Sequence, residues 1–468
     1  MKKSIFKTLA IISVASIVVS CRSNKTSFSS NESSNSSESE ASSNQPFSSS
    51  IYVTNSVREL RNPGDDFRNV TYQDKTEEEY VAFKKKLMLF SHKLSESVLK
   101  REFKEDENTA FSPLSIEMCL GPAIRSSSGQ TREELLAALD IDFVTFDKYY
   151  KRLYDENNFI FKSYTEELMA ELMLTNSIWI DNDITLLDTG LDALRDDYYC
   201  YSFEADFNGH NKEANSAIKN FIYNKTNGIL APDLELSTET LFVLMNTLYL
   251  KDIWDDLGKD LNYSTDSNHY FINKNQTRSN KQLLCGYYKN GRVMETDDYS
   301  SFYTSTNSGF RIYFVKPHDG KELLDVFTQE TMKDVLDTSN YVYINSEKLE
   351  RYHTRCIFPE YTAEGDVDLK GIFQEDFNVH TLFDSRCDFS NLTNEDVTCL
   401  DFKQISKLEV NKTGIEGAAV TYMAYGNAAA PEEFKDVYEE FLVNKEFGFL
   451  LTRDGTVLFS GVVTNIDK

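Results

Sequence analysis

Few residues of this chain stand at spacings that would do chemistry. The six histidines, His92, His210, His269, His318, His353 and His380, are scattered, and no two of them stand at metal-ligand spacing. A zinc site would need them paired, as in HExxH on one helix face. No GxSxG elbow, Walker loop, GxGxxG or EF-hand loop is present. Carboxylates are abundant, yet no pair marks itself as an acid/base couple. No catalytic residue, metal site or cofactor is nominated, and the histidines read as surface or structural residues. The segment that departs from the rest of the chain is residues 413–431, TGIEGAAVTYMAYGNAAAP. It has six alanines, three glycines and one charge, Glu416, where the 26% average would give about five charges. It reads either as a buried strand or helix, or as a segment that is exposed and yet able to enter a sheet. On one face of such a strand stand Ile415, Gly417, Ala419 and Thr421, small enough for most of their length to slide into a packed sheet.

The elements that must carry this segment fall into two groups. Helical patterning crowds the first half. Thr76 and the acids after it precede Val81, Phe83, Leu87, Phe90 and Leu94; Ser112 and Pro113 open a second helix through Ile116, Met118, Leu120 and Ile124; Thr131 and Glu134 have the spacing of a capping box. From residue 171 onward strands take over. Residues 172–180 and 241–250 are apolar runs suited to central strands. Residues 449–452 and 457–463 form a hairpin turning at Asp454 and Gly455. Helices first and strands later predict an α+β domain on a mostly antiparallel sheet.

Composition bounds the partners. The 468 residues are 40% hydrophobic and 13% aromatic, enough for one large core of about 370–400 residues. The formal charge of −26 argues against a nucleic-acid partner, since phosphate binding needs a basic surface. The N-terminus carries Lys2, Lys3 and Lys7 before an apolar stretch from Leu9 to Val19, the layout of a secretion signal and too short to span a bilayer. It ends in Val18, Val19, Ser20 and Cys21, which resembles the lipobox of bacterial lipoproteins, in which the cysteine is lipidated and becomes N-terminal; an ordinary signal with a chance cysteine is the plainer reading. Cutting there would take the charge from −26 to −29, and several acyl chains on Cys21 would anchor the chain stably at a membrane. Residues 22–50 hold 14 serines in 29 positions and read as a flexible tether reaching on the order of 30 Å. The expected organisation is a signal over residues 1–20, a lipid-anchored tether over 21–50, a weakly packing extension over 51–76 and a domain over 77–468. The remaining six cysteines, Cys119, Cys200, Cys285, Cys356, Cys387 and Cys399, have no compact spacing, so disulfides and free thiols stay equally open.

Several motifs in a fixed order carry a family resemblance. Residues 108–115 (NTAFSPLS), 176–180 (NSIWI), 226–229 (TNGI), 244–254 (LMNTLYLKDIW), Phe358 with Pro359, residues 368–370 (DLK), Phe383 with Asp384, residues 408–421 (LEVNKTGIEGAAVT) and residues 447–463 stand in sequence. Through them the chain from about residue 77 to its end resembles the serpins. The resemblance implies a serpin fold, helices packed on a large mixed, mainly antiparallel sheet with further sheets and an exposed reactive loop. It implies no active site. Instead the loop is bait: a target serine protease cuts it, forms an acyl-enzyme, and is dragged across the molecule as the loop inserts into the main sheet as a new strand. The hinge of that loop falls on Gly414, Ile415, Glu416, Gly417, Ala418, Ala419, Val420 and Thr421, and family spacing puts the scissile bond at Ala428–Ala429, with a shift of one residue left open. A small residue there suits an elastase-like or subtilisin-like protease; no Lys or Arg lies between Lys412 and Lys435 to suit a trypsin-like one. The family's sheet latch maps to Ser112 and Ser115, with Lys219 at its usual asparagine and Gln404 at its usual histidine, and the breach tryptophan maps to Trp254. Ile415 is bulkier than the usual hinge residue, and with the altered latch it motivates an alternative, a non-inhibitory binding protein of the same fold. The expected partners are a target serine protease, as a covalent acyl complex with a monomer of this chain, and a membrane through Cys21; the expected location is the extracellular face of a bacterial membrane, or secreted. A hydrolytic enzyme is the least supported reading.

Overall fold

The computed structural model describes residues 13–22, 53–64, 77–162, 168–254, 261–415 and 434–468, with Ser13–Arg22 and Gly414–Ile415 described by backbone alone. The main sheet runs, edge to edge, through Val57–Arg61, Cys200–Ala205, Leu168–Asp181, Thr240–Ile253, Ser13–Arg22, Cys399–Val410 and Tyr361–Asp368. Five of its six neighbouring pairs are antiparallel, and only Cys200–Ala205 runs parallel to Leu168–Asp181. The expected mixed, mainly antiparallel sheet is present.

Both faces of this sheet are covered, which is why its central strands read as unbroken apolar runs. Along Thr240–Ile253 the side chains alternate between two cores: Phe242, Leu244, Leu248 and Leu250 join the larger one, while Val243, Met245 and Tyr249 join the smaller. The larger core contains the Pro113–Ser126 helix. The smaller packs the Asn211–Lys225 helix on Trp179, whose ring stacks on Phe203 at 4.2 Å and meets Phe221 edge-on at 5.5 Å.

A three-residue strand, Thr109–Phe111, splices the main sheet to a second one. It pairs with Glu364 on one side and with Ser460, Gly461 and Val462 on the other. The splice needs glycine twice: a Cβ on Gly365 would stand 2.1 Å from the Ala110 carbonyl, and one on Gly461 2.1 Å from the Thr109 carbonyl. The neighbouring Asn108 amide binds the carbonyls of Thr362 and Asn465 and accepts from the amides of Thr464 and Asn465, tying the chain's end to the splice. The hairpin Phe447–Arg453 with Thr456–Val463 turns at Asp454 and Gly455, both at positive φ, as the Asp-Gly signal predicts. A third sheet is built on Glu350–Phe358.

The first helix spans Glu78–Glu102 with Glu77 at its cap and no side-chain capping bond; Thr76 lies outside the described residues. The capping box expected at Thr131 is not one. Its helix starts earlier, at Gly129, so Thr131 is a buried interior residue accepting from the Asp388 amide, and Glu134 accepts from the amides of His380 and Thr381. The pattern serves a tertiary tie to the 380–388 loop. The extension over 51–76 also does more than pack weakly: Val57 is buried, its strand pairs with Cys200–Ala205, and Arg61 bonds Asp188 and Asp192. Ser13–Arg22, read from sequence as the end of a secretion signal, forms a ten-residue strand. Val14, Ile17, Val18 and Val19 suit that conformation as well as they suit an apolar signal core.

Candidate functional site

The candidate site is a buried hydrogen-bond network on the main sheet, where the resemblance places a latch, and the short pairing of Gly414 and Ile415, where it places a hinge. Ser112 caps the Pro113–Ser126 helix, accepting from the Ser115 amide at 3.2 Å, and Pro113 occupies the first helical position. From this helix end, bonds run to two different strands. The Gln404 side chain, on Cys399–Val410, donates to the Ser112 carbonyl at 2.9 Å and accepts from the Ser112 amide at 2.8 Å. Ser115 donates to Asn246, on Thr240–Ile253, at 2.7 Å. Asn246 donates to Asn176 at 2.9 Å, Asn176 to the Tyr150 hydroxyl at 2.8 Å, and Tyr150 to the Met118 carbonyl at 2.8 Å. All these side chains are buried. In such surroundings a lost partner costs the remaining group about 1–3 kcal/mol, so the chain of bonds holds or fails together.

Of the residues nominated from the resemblance, the structure brings Ser112, Ser115 and Gln404 together and places Lys219 elsewhere. Lys219 lies on the exposed side of the Asn211–Lys225 helix and pairs with Asp233 at 2.5 Å, with no part in the latch. The asparagine in that place is Asn246, on a strand, where an amide can reach Ser115. A lysine there would bury an ammonium with no carboxylate to meet it. Asn176, Asn246 and Tyr150 were not nominated from sequence. Their signal was two uncharged amides inside otherwise apolar runs, positions that only a buried partner justifies.

At the top of the same strands, Trp254 is 5% exposed; its indole donates to the Asn411 carbonyl at 3.0 Å and its ring meets Phe358 edge-on at 5.9 Å. Asn411 in turn accepts from the Thr413 amide, and Glu360 from the Lys412 amide, each at 2.8 Å. The chain then turns back on itself: Gly414 pairs with Ile253 and Ile415 with Asp252, antiparallel to Thr240–Ile253. Asp252 is buried beside this entry and accepts from the Ser308 amide at 3.0 Å and the Thr306 hydroxyl at 2.5 Å; burial pushes its carboxyl up to about 6. Sequence reasoning did not single it out. Glu416, Gly417, Ala418, Ala419, Val420 and Thr421, together with Ala428 and Ala429, lie outside the described residues.

The latch bonds two strands that do not bond each other. Between Thr240–Ile253 and Cys399–Val410 there is a full strand's width, and Ser13–Arg22 stands in it, antiparallel to both: Ile17 pairs with Asn246 on one side and Gln404 on the other. Cys21 pairs with Cys399 and Phe242. The six cysteines whose side chains are described, Cys119, Cys200, Cys285, Cys356, Cys387 and Cys399, are free thiols. Among the described residues, no group of three or more His, Cys, Asp or Glu is placed to hold a metal ion, and no helix is long and apolar enough to cross a membrane.

This architecture coincides with a known family. The family profile described as "Serpin (serine protease inhibitor)" matches residues 86–466, and the chain belongs to this family. It is similar to human neuroserpin, 24% identical over 373 residues that cover 77% of this chain and 86% of that protein. In structure it is similar to a thermophilic serpin, tengpin, in its native state, with a TM-score of 0.65, 18% identity and coverage of 87% and 100% of the two chains. It is likewise similar to thyroxine-binding globulin in complex with thyroxine, with a TM-score of 0.64, 18% identity and coverage of 82% and 99%. Members are generally protease inhibitors rather than enzymes, while thyroxine-binding globulin carries thyroxine in its structure.

Proposed function

We propose that the protein is an irreversible suicide-substrate inhibitor of serine endopeptidases of elastase-like or subtilisin-like specificity. The observation that carries this reading is the strand-wide slot in the main sheet, with the hinge residues Gly414 and Ile415 already paired at its top. Continuing that register, in which each pair of residue numbers sums to 667, would bring Thr421 level with Asn246 and Ala428 level with Glu239, just past the far end of the Thr240–Ile253 strand. At about 3.3 Å per residue the 14 steps from Gly414 to Ala428 span about 46 Å. A residue bound to the protease at Ala428 would thus be carried from one end of the sheet to the other.

The protease serine oxygen adds to the Ala428 carbonyl carbon, the Ala428–Ala429 bond breaks, the Ala429 amine leaves with the proton, and Ala428 remains as an ester. Insertion supplies both edges of the slot with ladder hydrogen bonds, and the ester is trapped because the displaced protease no longer hydrolyses it. Mixing the protein with pancreatic-type elastase and with subtilisin tests this. A covalent complex stable to denaturation, with a released peptide beginning at Ala429, is expected. Clean cleavage with the protease still active would overturn it.

A second reading is a non-inhibitory binding protein at the cell surface; one observation favours it for a chain that reaches the surface uncut, since with Ser13–Arg22 in the slot no space is left for the loop. For location we infer export with removal of residues 1–20, lipidation of Cys21 and a Ser-rich tether over 21–50, holding a monomer at the extracellular face of a bacterial membrane. The support is the order of charged, apolar and Cys-terminated stretches. Intact mass of the membrane fraction, with and without lipid hydrolysis, tests it.

A further inference from the structure

Ten residues of the chain's own N-terminal segment stand where a descending loop would go. Ser13 pairs with Leu250, Ile17 with Asn246 and Gln404, and Cys21 with Phe242 and Cys399. The segment runs antiparallel to both neighbours, the direction a strand begun at Gly414 and Ile415 would take. Ile415 pairs with Asp252, and two residues further along that strand is Leu250, already paired with Ser13. A strand edge accepts one partner, so the two segments exclude each other at every position from Leu250 down. The segment suits a buried slot: four of its ten residues are β-branched aliphatics and only Arg22, at the far end opposite Thr240, is charged. With the segment gone, the two flanking strands must close on each other or leave their facing backbone groups unpaired.

We propose that Ser13–Arg22 is a built-in competitor for the slot, so that the chain which retains it is locked out of loop insertion and the chain cut before Cys21 is released. The cut removes eight of the ten strand residues, Ser13 to Ser20, and the two left cannot hold the slot. Processing of the N-terminus is then the activation step of the inhibitor. The consequence for inhibition rests on the reading given above; occupancy of the slot does not.

The test uses the full uncut chain, made by cell-free synthesis without an export system, beside the full-length double variant Ile17→Pro with Val18→Pro. Adjacent prolines remove one N–H from each edge of the strand. In the uncut chain, amides of residues 13–22 are expected to exchange at least about 100-fold more slowly than in a free peptide, and those of the double variant at free-peptide rates. The uncut chain is expected to be cleaved by elastase without forming a complex, and the double variant to form one. Adding a synthetic peptide of residues 13–22 to the double variant should abolish complex formation, where a scrambled peptide does not. Free-peptide exchange over residues 13–22 in the uncut chain overturns the proposal, as does complex formation by the uncut chain as fast as by the double variant. If neither chain forms a complex while the amides stay protected, the inhibitor reading fails and slot occupancy stands.

Discussion

Gln404 and Ser112 are joined twice, side chain to backbone: the amide of Gln404 donates to the Ser112 carbonyl and accepts from the Ser112 N–H, at 2.9 and 2.8 Å. One glutamine thereby copies the pairing of a neighbouring strand and clamps the Cys399–Val410 strand to the helix end that also holds Asn246.

Truncating that clamp leaves a buried N–H and a buried C=O without partners. Gln404→Ala is expected to lower stability by about 2–4 kcal/mol. Urea unfolding followed by tryptophan fluorescence measures it. A loss within 0.5 kcal/mol would mean that the clamp holds nothing the sheet lacks otherwise.

Tyr150 reaches Asn176 and Met118 only because it lies on a bare backbone. A Cβ on Gly121 would stand 2.1 Å from the Tyr150 ring. Gly121→Ala is expected to displace the ring and cost about 2–4 kcal/mol. In a Tyr150→Phe background the methyl should cost less, since the hydroxyl's bonds to Asn176 and Met118 are already gone. Equal costs in both backgrounds would show that the clash acts apart from the latch.

Glu117 is fully buried on the Pro113–Ser126 helix, accepts one bond from the Ser91 hydroxyl at 2.7 Å, and is pushed up to about 8 by burial. Its ordinary value is 4.5. Below 4.5 both states carry the proton and nothing changes. Between 4.5 and 8 the unfolded chain releases it while the folded chain keeps it, so stability falls as pH rises. Glu117→Gln removes this dependence, and its advantage over wild type should grow by on the order of 3–5 kcal/mol between pH 4 and pH 9. Urea melts of both proteins at the two pH values read the difference directly; a constant gap would sink the idea.

Insertion and cleavage should separate at the hinge. Ile415→Glu places a carboxylate at the second residue to enter the sheet, opposite the like-charged carboxyl of buried Asp252. It is expected to leave loop cleavage by elastase intact while cutting the yield of covalent complex at least about tenfold, because burying a mispositioned charge costs several kcal/mol. Ile415→Thr should keep the complex. Ala428→Arg should transfer the reaction to a trypsin-like protease. Densitometry of complex against cleaved product measures all three.

Much of the fold is legible in the residues. The apolar runs at 172–180 and 241–250 are strands because both faces of the main sheet are covered, and a run without polar alternation says so. The Ser112–Pro113 helix start and the Asp454–Gly455 turn are local backbone chemistry and lie where they were expected. Where spacing was read without knowing what packs on it, it misled: Thr131 and Glu134 face a loop 250 residues away, and Lys219 faces Asp233.

By itself the sequence determined the central apolar strands, the helix start at Ser112 and Pro113, the Asp454–Gly455 turn and the small-residue character of the loop segment, because these depend on side-chain size, periodicity and propensity at neighbouring positions. Tertiary structure alone decided which amide meets Ser115 and what stands between Asn246 and Gln404. Both join residues far apart in the chain, Ser115 and Asn246 by 131 positions and Ile17 and Gln404 by 387. Nothing in the local chemistry of Asn246 or Ile17 names the partner; only the assembled sheet, with one slot and two edges to satisfy, does.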